Sequence, residues 1–249
     1  MTVPQFLPGV PVSHVLKRLA NAGGKEIESD KFSSPESSAA LAVNCLGWFI
    51  ERPGLLPPLK GVETAGVPEL VDVEFCARFP WSGGRHPWLD AVVQTPTTLI
   101  GIESKRFEPF RDVKSVNLSD AYDRPVWGQH MKGYERMRDR LRSGEERFAY
   151  LDATQLVKHA FGLVTEGRRR NRTPVLFYLF AEPAERNGRT IPPDDLVRHR
   201  EEIARFAERV ADSEVAFNSE SYREWIKSWR GLDSKVGAHA QEVMRRFSP

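Results

Sequence analysis

The spacing of apolar and polar positions changes several times along the chain and marks out its elements. Ser13 to Ala22 reads as a short helix. Ser34-Pro35 then gives a helix start, with serine at the cap and proline at the first helical position. The body that follows, Ala39 to Ile50, is apolar on nearly every side, which predicts a helix buried on most sides. Pro53-Gly54 stops it, and Pro57, Pro58 and Pro68 make residues 52 to 68 a loop. Glu69 to Phe79 alternates and is rich in Val and Phe, the pattern of a strand. Ser82-Gly83-Gly84 is a turn, Trp88 to Gln94 a second strand, Thr95-Pro96-Thr97 a tight link and Thr98 to Lys105 a third strand. Three short strands with brief links predict an antiparallel meander.

Beyond Phe110 comes a polar insertion, then helices from about Trp127 to Leu141 and from about Asp152 to Thr165, the latter ended by Gly167. Thr173 to Phe180 is almost wholly apolar and predicts a buried strand. Pro193 and Asp194-Asp195 open a long helix to about Ala211, Val215 to Phe217 forms a short edge strand, and Ser219 to Trp229 and Lys235 to Phe247 read as helices. There is no internal repeat and no domain boundary. We read residues 1–249 as a single α/β domain, with a core over about 34–181 and a helical elaboration over about 182–249.

Composition adds bounds. With 249 residues, 40% hydrophobic and 28% charged, the chain can bury a sizeable core. A net charge of +2 excludes a polycation that coats nucleic acid indiscriminately, though not a local basic face. The two cysteines, Cys45 and Cys76, sit in apolar runs and are expected to be free thiols. No apolar run of about 18 residues predicts a membrane helix, and Met1 to Lys17 lacks the charged-then-apolar order of a leader. The expected location is the cytoplasm, with no membrane partner.

The chemistry lies on two neighbouring strands. Asp90 stands near the start of the second, and the third ends in Glu103-Ser104-Lys105. Strand side chains alternate, so Glu103 and Lys105 share a face. In a hairpin, Asp90 comes beside Glu103. Two hard carboxylates suit Mg²⁺, which activates a bound water and neutralises charge on a phosphodiester. A lysine beside them can orient or deprotonate that water, or stabilise charge on the phosphorane.

On these residues the chain resembles the PD-(D/E)XK nuclease superfamily, of restriction-endonuclease-like fold. Asp90 matches the first acid and Glu103-Ser104-Lys105 the Glu-x-Lys, although Pro87 stands three residues before Asp90 rather than next to it. The order helix, three-stranded meander, helix, strand also matches, over about Ser34 to Phe180. The insertion leaves both helices, Trp127 to Leu141 and Asp152 to Thr165, as candidates for the second core helix. The resemblance implies a mixed sheet flanked by helices and Mg²⁺-dependent hydrolysis of DNA by an endonuclease. It also implies Mn²⁺ as a substitute and a homodimer that cuts both strands. It further implies metal ligation by Asp90, Glu103 and Glu36, with Asp90, Glu103, Lys105 and Glu36 as the catalytic set. Glu36 reads equally well as part of a helix cap with Ser33 and Ser34.

Arg168, Arg169, Arg170 and Arg172, placed in a loop, are candidate phosphate binders or a solvated turn. Asp72 and Glu74 share a parity and read as a solvated strand face. Gln129, His130 and His86 are weaker site candidates, and Trp225 and Trp229 read as core. The rival to an enzyme is a non-cleaving nucleic-acid-binding or protein-interaction module on the same fold.

Overall fold

The computed structural model of the chain describes residues 5–23 and 25–249. Residues 1–4, which begin the stretch without a leader pattern, and Gly24 lie outside the described residues. The elements run α1 (Val12–Asn21), α2 (Ser38–Leu46), β1 (Leu70–Cys76), β2 (Trp88–Gln94), β3 (Thr98–Lys105) and a short α3 (Glu108–Arg111). Then come α4 (Lys132–Ser143), α5 (Ala153–Arg170), β4 (Thr173–Phe180) and a small hairpin of β5 (Glu185–Arg186) and β6 (Arg189–Thr190). The chain closes with α6 (Pro193–Val210), β7 (Ala216–Ser221), α7 (Tyr222–Ser228) and α8 (Ser234–Phe247).

A five-stranded mixed sheet in the order β1-β2-β3-β4-β7 carries the fold. The predicted meander supplies its antiparallel part, and β4 and β7 add parallel to β3. Each face has its own apolar core. Val71, Val93, Ile100, Phe177 and Leu179 pack with α1, α2, α7 and α8, while Leu99, Leu176 and Tyr178 pack with α4, α5 and α6. Every residue of α2 after Ser38 is buried, as its apolar surface requires. Among the described residues, no helix is long and apolar enough to cross a membrane.

Several boundaries differ from the sequence reading, among them the start of α4 at Lys132 and the end of β1 at Cys76; three boundaries and one added hairpin have a clear local reason. First, α2 starts at Ser38, not Pro35, because the Pro35 carbonyl accepts from Arg106 Nη1 instead of entering a helical ladder. Ser37 becomes the cap, its Oγ accepting from Ala40 N–H at 3.0 Å. Second, α5 runs through Gly167 to Arg170 and ends on Asn171, which is left-handed at φ 51°. Gly167 serves close packing instead: a Cβ there would meet the Arg172 carbonyl at 2.8 Å. Third, Ser219 to Ser221 extend β7 beside Tyr178 to Phe180, so α7 starts only at Tyr222. The C-terminal segment therefore contributes a strand to the central sheet as well as helices. Fourth, Asn187-Gly188, both at positive φ, turn the β5–β6 hairpin.

Gly101 lies in the middle of β3, where an added Cβ would stand 2.6 Å from Leu89 Cδ1 and 2.7 Å from Leu163 Cδ2. The α5 helix thus packs tightly on β3. Gly101→Ala is expected to cost roughly 1–3 kcal/mol through overpacking, read as a lower urea midpoint with an unchanged slope. An unchanged midpoint would show that the leucines swing aside freely.

Candidate active site

The strands separate where the candidate residues lie. Pairing of β2 with β3 runs from Gln94–Leu99 to Ala91–Ile102 and stops there. Asp90 fills the gap, its Oδ2 accepting from the released Ser104 N–H at 2.7 Å. Ser104 is held in turn by its hydroxyl, 2.7 Å from the buried Tyr222 hydroxyl at the start of α7. The carboxylates of Asp90 and Glu103 therefore face one another across diverging strand ends, and Lys105 follows on the same strand.

Glu103 is 2% exposed and is ion-paired with Lys105. His159, on α5, brings Nε2 to 2.8 Å from Glu103 Oε2, although the ring is not aligned for a hydrogen bond. Burial pushes the Glu103 carboxyl up, but Lys105 and His159 outweigh it and hold it at about 2. Lys105 is pushed down by burial and up, by more, by Glu103 and Asp90, so it stays an ammonium. Asp90 moves opposite to Glu103. Burial and the charge of Glu103 raise its carboxyl well above the usual range despite Lys105.

Glu74, read from the sequence as part of a solvated strand face, belongs to this site. It is 8% exposed, lines the same cleft of about 540 Å³, and stands opposite Asp90 between the pairs Val73–Ala91 and Phe75–Leu89. Its φ of 53° is left-handed, rare for a residue with a side chain inside a strand. The inversion breaks the alternation. Val71 and Val73 face α2, but Phe75 joins the core on the α5 side, and Ala91 and Leu89 part in the same way. Such a residue costs about 1–3 kcal/mol and persists only where its surroundings enforce it. Arg18 does so, donating from Nε to the Val73 carbonyl at 3.0 Å and from Nη2 to the Glu74 carbonyl at 2.7 Å. Burial, with Glu26 and Glu103 nearby, raises the Glu74 carboxyl to about 7. Asp72 does stay at the surface side, paired with His14 at 2.8 Å and Arg18 at 3.3 Å.

The other candidates are dispersed. Glu36 lines the cleft, but from the turn before α2 rather than from the helix, and not as a backbone cap. Its Oε1 accepts from Arg186 at 2.7 Å and its Oε2 from Arg111 at 3.0 Å. Burial raises its carboxyl and these two arginines lower it by more.

Arg168, Arg169 and Arg170 form the last turn of α5, not a loop, and are paired with Glu214 and Glu166. Arg172 donates to the Thr95 carbonyl and pairs with Glu69. Arg172 lies beside the Thr98 end of β3, opposite to Lys105, whereas Arg170 sits over the Phe75 ring at 5.4 Å and Arg169 reaches the Arg78 and Phe79 carbonyls; none of the four lines the cleft. Gln129 and His130 are exposed in a turn before α4 and do not line the cleft. Trp225 and Trp229 are buried edge to face at 4.8 Å. Cys45 and Cys76 are free, the first buried and the second partly so.

Carboxylates are thus gathered on one side of the cleft with an ammonium among them. Among the described residues, no three His, Cys, Asp or Glu side chains are already drawn together as a cation cage. Sheet and cleft together define a restriction-endonuclease-like α/β protein. The chain belongs to the family described as restriction endonuclease associating with ARP, which it matches over residues 4–243. That membership points to a nuclease-type function. No curated protein and no solved structure matches the chain.

Proposed function

We propose that the protein is a Mg²⁺-dependent phosphodiesterase that cleaves DNA internally, an endonuclease of the PD-(D/E)XK type. The observation that carries this reading is the pair Asp90 and Glu103 at the splayed ends of β2 and β3, with Lys105 beside them. The residues fit a divalent cation. Their donors are hard oxygens, and Asp90 and Glu74 are both raised by burial and neighbouring carboxylates, the signature of a site short of positive charge. Asp90 and Glu103 would hold the ion, with Glu74, opposite Asp90 in the strand pair, a further donor. Mn²⁺ is expected to substitute. When bound, the ion lowers the pKa of a water and neutralises phosphate charge.

The residues of the chain have separable tasks. Lys105, kept protonated, can donate to a non-bridging phosphate oxygen as charge builds there, rather than remove a proton from water. Asp90 Oδ1, free of the Ser104 bond, can accept from an attacking water. Glu36 is saturated by arginine, so we give it the task of fixing Arg111 and Arg186 at the cleft rather than of binding metal. Ser104 and Tyr222 position the strand ends. Cutting both strands would take two such sites, hence a homodimer, and the cytoplasm is the compartment in which we place it.

The test is supercoiled plasmid incubated with Mg²⁺, Mn²⁺ or EDTA. Nicked and linear products are expected with either metal and none with EDTA. In parallel, saturating Mn²⁺ should raise the melting temperature by roughly 5–10 °C, an effect lost in Asp90→Ala. A metal-independent melting temperature together with intact plasmid would sink the reading and favour the non-cleaving module.

A further inference from the structure

The loop joining β1 to β2 forms a second groove, of about 1040 Å³, beside the carboxylate cleft. The two meet at Gly23 and Trp88, the latter only two residues before Asp90. Their charges are opposite. The cleft is lined by six carboxylates, among them Glu74, Asp90 and Glu103, against three cations, Lys31, Lys105 and Arg111. The groove is lined by Arg78, Arg85 and Arg169, with no Asp or Glu among its described lining residues.

The groove also carries aromatic surface. Phe79 and Trp81 lie 4.8 Å apart between ring centroids, and Trp81, partly exposed, leans on Trp127 at 5.4 Å. Arg124 lies over one face of the Trp81 ring, 4.6 Å from its centre, and leaves only the rest of the ring for a base. The loop is braced from beneath. Phe79 N–H donates to His86 Nδ1 at 3.2 Å, and Arg169 Nη2 donates to the Phe79 carbonyl at 3.0 Å. Arg78 and Arg85, by contrast, are exposed. His86, a candidate for the catalytic site from sequence, therefore belongs to this groove.

Resting on the nuclease reading, we propose that this groove binds the nucleic-acid strand that leads into the cleft. Arg78 and Arg85 take its phosphates, and Trp81 takes the face of an unstacked base. A basic path with a partly exposed aromatic ring is a surface that can hold a single strand by charge and stacking. It ends at the carboxylates, where an anionic backbone would otherwise be repelled. An anionic protein segment could satisfy the arginines but would make no use of the ring.

The experiment is fluorescence anisotropy of a labelled 20-nucleotide single strand and its duplex in Ca²⁺, over a salt series. The proteins are wild type, Arg78→Ala/Arg85→Ala, Trp81→Ala, Trp81→Phe and, as a remote control, Lys235→Ala, exposed at the start of α8. The double arginine variant is expected to bind both forms at least tenfold more weakly and to lower the salt slope by about two. Trp81→Ala should weaken single-strand binding roughly tenfold, and Trp81→Phe should retain most of it. Both arginine positions are exposed, so folding is not at stake in that variant. Wild-type affinity and slope in the double variant, with plasmid cleavage intact, would overturn the groove and leave the nuclease reading standing. Wild type that neither binds nor cleaves DNA would overturn both.

Discussion

Lys105→Ala is expected to reduce plasmid cleavage by roughly 10²–10³-fold while Mn²⁺ binding persists or tightens. The two effects have one cause. Lys105 is an ammonium ion-paired with the buried Glu103 and attracted by Asp90. Its removal takes away a cation that repels the metal and frees Glu103 to ligate, yet it also removes the donor for charge developing on phosphate. Asp90→Ala should behave otherwise and lose both metal binding and cleavage, because a hard-cation site loses one of its anionic ligands. Lys105→Arg should not restore the rate, since a planar fork cannot occupy the place of a compact ammonium. Calorimetric Mn²⁺ titration beside the plasmid assay separates these outcomes, and circular dichroism confirms folding. Cleavage by Lys105→Ala at the wild-type rate would remove Lys105 from the chemistry.

The pairing of Asp90 with Glu103-Ser104-Lys105 was legible because it depends only on strand order and alternation, which hold for most of β2 and β3. Glu74 was hidden by the same rule. Alternation assigns it the parity of Asp72, and nothing in the local residues announces a left-handed glutamate. The inversion is enforced from a distance by Arg18, more than fifty residues earlier. Glu36 failed for a related reason. Whether a first-turn glutamate meets metal, amide or arginine is decided by Arg111 and Arg186, brought in from α3 and the β5–β6 hairpin. That hairpin did leave a signal in Asn187-Gly188, a turn pair of the type that joins short antiparallel strands. The arginines near 170 read as a phosphate loop only if Gly167 stops the helix, which it does not. Its missing Cβ relieves a contact inside the fold, and the carboxylate partners Glu166 and Glu214 are set by helix spacing and tertiary packing. His159 and Tyr222 carried no sequence signal at all, since each reaches the site from a remote helix.

Glu74→Gln is expected to make the apo protein more stable and the enzyme poorer. In the folded chain the Glu74 carboxyl is raised from 4.5 to about 7 by burial and by Glu26 and Glu103. Between those values the folded state binds the proton that the unfolded state has lost. Stability therefore falls as pH rises through about 4.5 to 7, and the full penalty is present above 7. The difference corresponds to roughly 3 kcal/mol, an upper figure because Asp90 and Glu103 relax with it. Glutamine is neutral throughout, so in EDTA at pH 8 the variant should gain up to that amount, and its stability should change less between pH 5 and 7. Metal reverses the comparison. A bound cation relieves carboxylate repulsion in the wild type, so Mn²⁺ should stabilise wild type more than Glu74→Gln, and cleavage should fall in the variant. Such a site spends fold stability on an unpaired carboxylate kept ready for a cation. Urea titrations at pH 5, 7 and 8, each with EDTA or Mn²⁺, read all of this directly. A variant no more stable than wild type at pH 8 in EDTA would show that Glu74 is compensated in the apo fold, and that it is not part of the charge deficit on which the metal reading relies.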